Sequence, residues 1–219
     1  MSEPAVRVWD LPIRLFHWSL ALLVGFSLIT GEFRDDFGMG IIDWHARSGY
    51  AILTLVIFRL LWGFLGGTHA RFSSFVRGPR AVAAYLRGSS AVHVGHNPLG
   101  GWSTALMLAS LALQAGTGLF ISNEDLGFDG PLARHVSSHT GDRLQAIHQA
   151  NSVILLVLVA LHLAAIAFYF FAKRDNLVRP MLTGVKRLAA PSQSGGHPLR
   201  GALVLAIAAA AVWFIVNRL

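Results

Sequence analysis

Two histidines on one apolar stretch are the residues best placed to do chemistry. Residues 148–172 read HQANSVILLVLVALHLAAIAFYFFA, and the two histidines, His148 and His162, stand fourteen residues apart. On an α-helix that spacing is just under four turns, so both imidazoles leave one face at levels roughly 21 Å apart. The stretch is long enough to cross a bilayer, with one histidine near each surface. His162 lies between LVLVAL and LAAIAF, where a polar ring without a partner is costly and metal ligation is a natural use. Two imidazoles stacked on one helix suit two haems held one above the other, if other helices supply the opposite ligands.

The composition says what kind of protein must position them. The 219 residues are 54% apolar and 13% charged, with a mean hydropathy of +0.55, which is too apolar and too poor in charge for a water-soluble domain of this length. The expected class is an all-α integral membrane protein. There is no cysteine, so c-type haem attachment, thiolate-bound iron–sulfur clusters, zinc–thiolate sites and disulfides are excluded, and a redox cofactor would be held by histidine. The net charge of +7 is explained by basic cytoplasmic loops rather than by nucleic acid. Glu3 and Asp10 interrupt the first residues, and no small-residue cleavage site follows the first apolar run, so no cleavable signal peptide is expected.

Five spans are expected, at about residues 15–30, 45–65, 101–121, 148–172 and 202–216. Residues 1–14 form a polar lead with Pro12 where a helix can begin. Between the second and third spans, RGPRAVAAYLRG reads as a short amphipathic helix on the membrane surface. Acids dominate the loops after the first and third spans, whereas basic residues dominate those after the second and fourth. The positive-inside rule therefore puts the N-terminus in the cytoplasm and, after a fifth span, the C-terminus outside. Trp18, Trp44, Trp62, Trp102 and Trp213 fall near span ends, as an aromatic belt requires. No convincing sequence repeat is visible, and the chain reads as one membrane domain.

Depth then sorts the histidines. His17 opens a span that begins inside, and His45 opens one that begins outside. The fourth span also begins outside, so His45 pairs in level with His148 and His17 with His162. A lone histidine at a span edge is ordinarily interfacial; the agreement of four in face and depth is the signal for bis-histidine haem. Arg59 stands fourteen residues after His45, on the same face at the inner level. It either meets a haem propionate or snorkels to the headgroups. Arg14, one turn before His17, and Arg47 suit propionates in the same way. His139 rivals His148 as outer ligand, and His135 with His139 has the spacing of a helical metal pair, though ordinary loop roles suit both better. His69, His93, His96 and His197 are expected to be solvated loop residues.

The stretches VWDLPIRLFHW, WHARSGYAILTLVIFRLLWG, ARFSSFVRGPRAVAAYL, GHNPLGGW, LQAIHQANSVILLVLVALHLAAI and NLVRPMLTGVKR together resemble the bacterial cytochrome b561 family, which includes the b-type cytochrome subunit of nickel-iron hydrogenases. The resemblance covers about residues 6–188, with its motifs in order. It implies a four-helix transmembrane bundle (residues 1–188) holding two haems b, with residues 189–219 as linker and a fifth C-terminal transmembrane helix that also occurs in relatives of the hydrogenase type. It further implies electron transfer in the bacterial inner membrane between the quinone pool and a periplasmic redox partner such as a hydrogenase, another dehydrogenase or a cytochrome c. The family's helix-borne ligands fall on His17, His45, His148 and His162. Each imidazole is expected to be neutral, its other ring nitrogen donating to a backbone carbonyl or water. Arg14, Arg59, Lys173, Arg174 and Asn176 are positioned for a quinone site on the inner side. Glu124, Asp125 and Asp129 could dock a basic partner or simply be solvated. Other classes remain open: an anchor subunit packing a partner through the small residues 202–211, a direct quinone or superoxide oxidoreductase, and a metal permease, which would carry broken helices or inverted repeats.

Overall fold

The structure, a computed structural model, describes residues 4–33, 40–88, 94–123, 127–187 and 195–219. It is mostly helical. The helices are α1 (Leu11–Glu32), α2 (Ile41–Leu65), α3 (Phe72–Phe75), α4 (Pro79–Leu86), α5 (Pro98–Gly118), α6 (Ser138–Phe171), α7 (Val178–Thr183) and α8 (Pro198–Arg218), with a 3-10 turn at Ala133–His135. Four of them, α1, α2, α6 and α8, are long and apolar enough to cross a membrane. Helix α5 has the length, but Ser103, Thr104, Ser110, Gln114 and Thr117 make it more polar than these. Large apolar side chains such as Leu22, Phe64, Phe171 and Leu199 stand exposed on the long helices, the reverse of a water-soluble surface pattern.

Helix lengths differ from the sequence expectation in an informative way. Helix α6 begins ten residues before His148 and runs for 34 residues, so His148 sits well inside a helix rather than at its edge. Helix α1 starts at Leu11, because Asp10 caps it: Ile13 N donates to Asp10 Oδ1 at 2.9 Å, with Pro12 tolerated in the first turn. The surface helix expected around Val82 is α4, which begins at Pro79 and buries none of its residues.

The chain packs as two units. The first comprises Met1–Phe16, Arg59–Met107 and Leu158–Val204; the second comprises His17–Phe58, Leu108–Val157 and Leu205–Leu219. In the first unit the lead is not a free polar segment. Strand β1 (Ala5–Arg7) pairs antiparallel with β4 (Val185–Arg187), with Val6 opposite Lys186, and Val6, Val8, Trp9 and Asp10 are buried. Gly184, in the left-handed conformation at φ 82°, ends α7, and its carbonyl accepts from Val8 N and Trp9 N. Asp10 also accepts from Trp62 Nε1 at 3.3 Å. Trp62 is fully buried and so is not an aromatic-belt residue, unlike Trp18, Trp44, Trp102 and Trp213, which are exposed. A belt tryptophan needs water or headgroups for its N–H, and Trp62 has a buried carboxylate instead. Tyr85 of α4 hydrogen-bonds Tyr169 of α6 through their hydroxyls, and Asn97 Nδ2 donates to the same Tyr169 oxygen at 2.8 Å.

In the second unit polar side chains bridge neighbouring helices. Ser27 of α1 meets Ser48 of α2 hydroxyl to hydroxyl. Asn151 of α6, buried, donates to Ser110 O at 3.0 Å and Gln114 Oε1 at 2.6 Å, and its Oδ1 accepts from Ser110 Oγ at 3.0 Å. Short strands β2 (Ser122–Asn123) and β3 (Phe128–Asp129) form a hairpin after α5. On α8, Gly201, Val204, Ala208 and Val212 are buried at a spacing near four residues. The small-residue face is thus used inside the chain, while Leu203, Ile207 and Trp213 stand exposed.

Two stability predictions follow from this packing. Asp10→Ala removes both the α1 cap and the Trp62 acceptor and is expected to cost at least about 1–2 kcal/mol, with Asp10→Asn costing less because it keeps a capping oxygen; unchanged unfolding of Asp10→Ala in detergent would refute the cap. Asn151→Leu keeps the branching and the number of side-chain heavy atoms but breaks the α5–α6 bridge, and a loss of about 0.6–1.7 kcal/mol is expected by the same measurement.

Candidate metal centre

The sequence alone marks His45 and His148 as level-matched, and within the second unit their rings face each other. The ring centroids lie 6.4 Å apart with the planes at 71°. A metal–imidazole bond is about 2 Å; two such bonds in line, plus the distance from each nitrogen to its ring centre, give a centroid separation of roughly 6 Å. The two imidazoles therefore fit a shared metal.

Each ring is held from behind by the helix that precedes its own. Thr30 Oγ1 of α1 lies 3.1 Å from His45 Nδ1, and Thr117 Oγ1 of α5 lies 3.1 Å from His148 Nδ1. Both threonines are buried. Their hydroxyls also bond back to their own helices, Thr30 to Phe26 O at 2.9 Å and Thr117 to Leu113 O at 2.8 Å, the usual arrangement of threonine inside an apolar helix. Each histidine thus meets a threonine hydroxyl at Nδ1 beside the expected backbone carbonyl, that of Ser27 for His45 and that of Gln114 for His148. Glycine follows each threonine. A Cβ on Gly31 would stand 3.2 Å from His45 Cε1, and one on Gly118 3.3 Å from His148 Cε1. One turn beyond each histidine comes a second bridge to the same helix, Ser48 to Ser27 and Asn151 to Gln114.

These supporting residues are not singled out by sequence reasoning. A signal exists, for Ser27 and Gln114 each precede a Thr-Gly pair by three residues, while Ser48 and Asn151 each follow a histidine by three. Scattered over four helices, it is too sparse to register as a repeat.

The other two candidate ligands belong to different units. His17, half-buried in the second, has its ring edge-on to Trp18 with centroids 5.1 Å apart. His162, in the first, is half-buried on α6. His139 is exposed in the first turn of α6, and His135 ends the 3-10 turn before it, so the two share no helix and do not form an i, i+4 metal pair. Among the described residues no group of three or more histidines and acids gathers.

Three arginines were candidates for anionic groups. Arg59 is 3% exposed and its guanidinium lies over Phe72 at 5.0 Å and Phe75 at 5.5 Å. It does not snorkel, and its buried Nη1 has no hydrogen-bond partner among the described residues. Arg14 donates through Nη2 to the Leu182 carbonyl, and its buried Nε is likewise left over. Both orphaned donors suit a carboxylate such as a haem propionate. Arg47 is exposed and stacks over Trp44 at 5.1 Å.

The loop residues divide. His96 is not solvated: its ring packs against Trp9 at 4.9 Å and Phe75 at 4.7 Å. His69 is half-buried beside Gly95, and burial lowers its pKa. Loop segments here fold against aromatic residues of the first unit, which loop composition does not reveal. His197 is exposed as expected; His93, Glu124 and Asp125 lie outside the described residues. Asp129 accepts from Ser122 Oγ at 2.5 Å in the β2–β3 hairpin. Of the quinone candidates, Asn176 Oδ1 accepts from Arg179 N at the start of α7, Lys173 lies over Phe168, and Arg174 has a positive φ of 55°.

Residues 8–184 match the family described as prokaryotic cytochrome b561. Among curated proteins, one from Bradyrhizobium diazoefficiens is 25% identical over 85% of this chain and 88% of its own length. One from Rhizobium leguminosarum bv. viciae is 28% identical over 84% and 90%, and one from Azotobacter vinelandii 26% identical over 84% and 89%. All three are named probable Ni/Fe-hydrogenase B-type cytochrome subunits. With its apolar helices and facing imidazoles, the chain belongs to the prokaryotic cytochrome b561 family, and is a multi-pass membrane cytochrome b that carries haem and serves electron transport.

Proposed function

We propose that the chain is a di-haem cytochrome that carries electrons across the bacterial inner membrane between the quinone pool and a periplasmic redox protein. The observation that carries this reading is the 6.4 Å approach of His45 and His148, two ring nitrogens' reach from a common metal. His45 and His148 hold the outer haem. His17 and His162 hold the inner one, an assignment supported by α6, which continues unbroken between His148 and His162 and so keeps them on one face. Haem held by these histidines would supply one-electron exchange between ferrous and ferric iron.

The chain's own residues supply the rest. Arg59 and Arg14 turn their leftover N–H donors to the inner propionates, and Arg47 leaves Trp44 to serve an outer one. Helices α1, α2, α5 and α6 form the haem-holding domain, within residues 1–188; residues 189–219 are a linker and an added span, α8. With the N-terminus cytoplasmic, five crossings leave the C-terminus periplasmic. The relatives' names make a nickel–iron hydrogenase the first partner to try, while another dehydrogenase or a cytochrome c would use the same wire. Quinone reacts at the cytoplasmic end, near Lys173, Arg174 and Asn176.

Purified protein is expected to show two b-type haems per chain in a reduced-minus-oxidised spectrum with haem quantitation. His45→Ala or His148→Ala should remove or convert one haem and His17→Ala or His162→Ala the other, with His139→Ala silent; absence of haem from the unaltered protein would overturn the reading. Arg59→Gln removes a positive charge beside the inner site and should lower the midpoint potential of one haem alone in a redox titration.

A further inference from the structure

Resting on that reading, we infer that Thr30 with Gly31 and Thr117 with Gly118 are one ligand-orienting device used twice, which fixes the tautomer of both outer histidines so that Nε2 faces the metal without a proton. A threonine hydroxyl has one hydrogen. Thr30 spends it on the Phe26 carbonyl at 2.9 Å, with the Ser27 carbonyl at 3.3 Å; Thr117 spends it on the Leu113 carbonyl at 2.8 Å, with the Gln114 carbonyl at 3.1 Å. Each oxygen is then only an acceptor toward the Nδ1 that lies 3.1 Å from it, and Nδ1 carries the ring's proton. In a neutral imidazole the lone pair is left on Nε2, the form in which histidine binds metals.

The opposite arrangement satisfies fewer groups. If the hydroxyl turned to donate to Nδ1, the helix carbonyl would lose its second bond and Nε2–H would need an acceptor in apolar surroundings. The glycines fix the other degree of freedom. With a Cβ on Gly31 or Gly118 only 3.2 or 3.3 Å from the ring's Cε1, a side chain there would press on the imidazole and push it by a few tenths of an ångström from its seat beside the threonine. The same four-part contact, with the same 3.1 Å bond, recurs on a second pair of helices and presents two rings to one another at 6.4 Å. Packing alone has no need to repeat a tautomer-setting bond.

An Nδ1–H donating to an oxygen makes the imidazole a more basic ligand, which favours the ferric state. The test is a redox titration and low-temperature EPR of the full chain carrying Thr30→Val, Thr117→Val or both, with Thr30→Ser and Thr117→Ser as rescues. The valine variants should keep the fold, raise the midpoint potential of one haem and alter its low-spin EPR signal, leaving the other haem untouched; both single changes should act on that same haem. The serine variants should return both readouts to those of the unaltered protein. Unchanged potential and EPR in both valine variants, or equal loss of haem from valine and serine variants, would overturn the device while the two-haem reading stood. Unaltered protein without haem would overturn that reading as well.

Discussion

Inside hydrocarbon a hydroxyl, amide or imidazole has no water to turn to, and each must find its partner on a neighbouring helix. The second unit is organised by that constraint. Helix α1 meets α2 through Ser27–Ser48 and Thr30–His45; α5 meets α6 through Gln114–Asn151 and Thr117–His148. In each case the two contacts are three residues apart on both helices, so a slide by one turn or a rotation would break both at once. Apolar packing in a membrane is tolerant of such slips, because lipid is as apolar as the helix it would replace. The polar rungs therefore fix His45 against α1 and His148 against α5.

The first unit handles its polar groups differently. Asp10 is buried but fully used, capping α1 and accepting from Trp62. Arg59 is buried against two phenylalanine faces, which offer it a negative quadrupole but no acceptor for its full set of donors. A buried guanidinium with an orphaned nitrogen is expensive, and the charge of the Asp10 carboxylate offsets part of that cost.

What could be read from the sequence follows from the same physics. His162 and Arg59 stand out because polar residues are rare within an apolar run, and the helices are visible because runs of about 20 apolar residues have few other uses. Thr30 and Thr117 pass unnoticed, as threonine bonds back to its own helix and glycine is common in membrane helices; only pairing with a histidine 15 or 31 residues away gives them meaning. Trp62 was misplaced because its depth suits a belt equally well, and only the distant Asp10 distinguishes the two roles. His69 and His96 were misread for the converse reason: their segment looks like loop in composition, yet Trp9, from the far N-terminal lead, packs on it. The strand pair β1–β4 joins segments some 180 residues apart, a distance at which three-residue strands leave no trace in sequence.

Helix α6 shows how these constraints combine. It carries two of the proposed ligands, yet only 6% of its most apolar window is buried by protein, against 39% for α2, and Asn151 and Leu155 are its buried residues. A helix so thinly covered by its own chain must be covered by something else. Lipid suits Ile154, Leu161 and Leu163, all exposed, whereas His148 turns to Thr117 of α5. On the proposed reading, a flat and largely apolar cofactor held by these histidines would cover the neighbouring turns. The sparse packing of α6 and its two histidines would then be one feature.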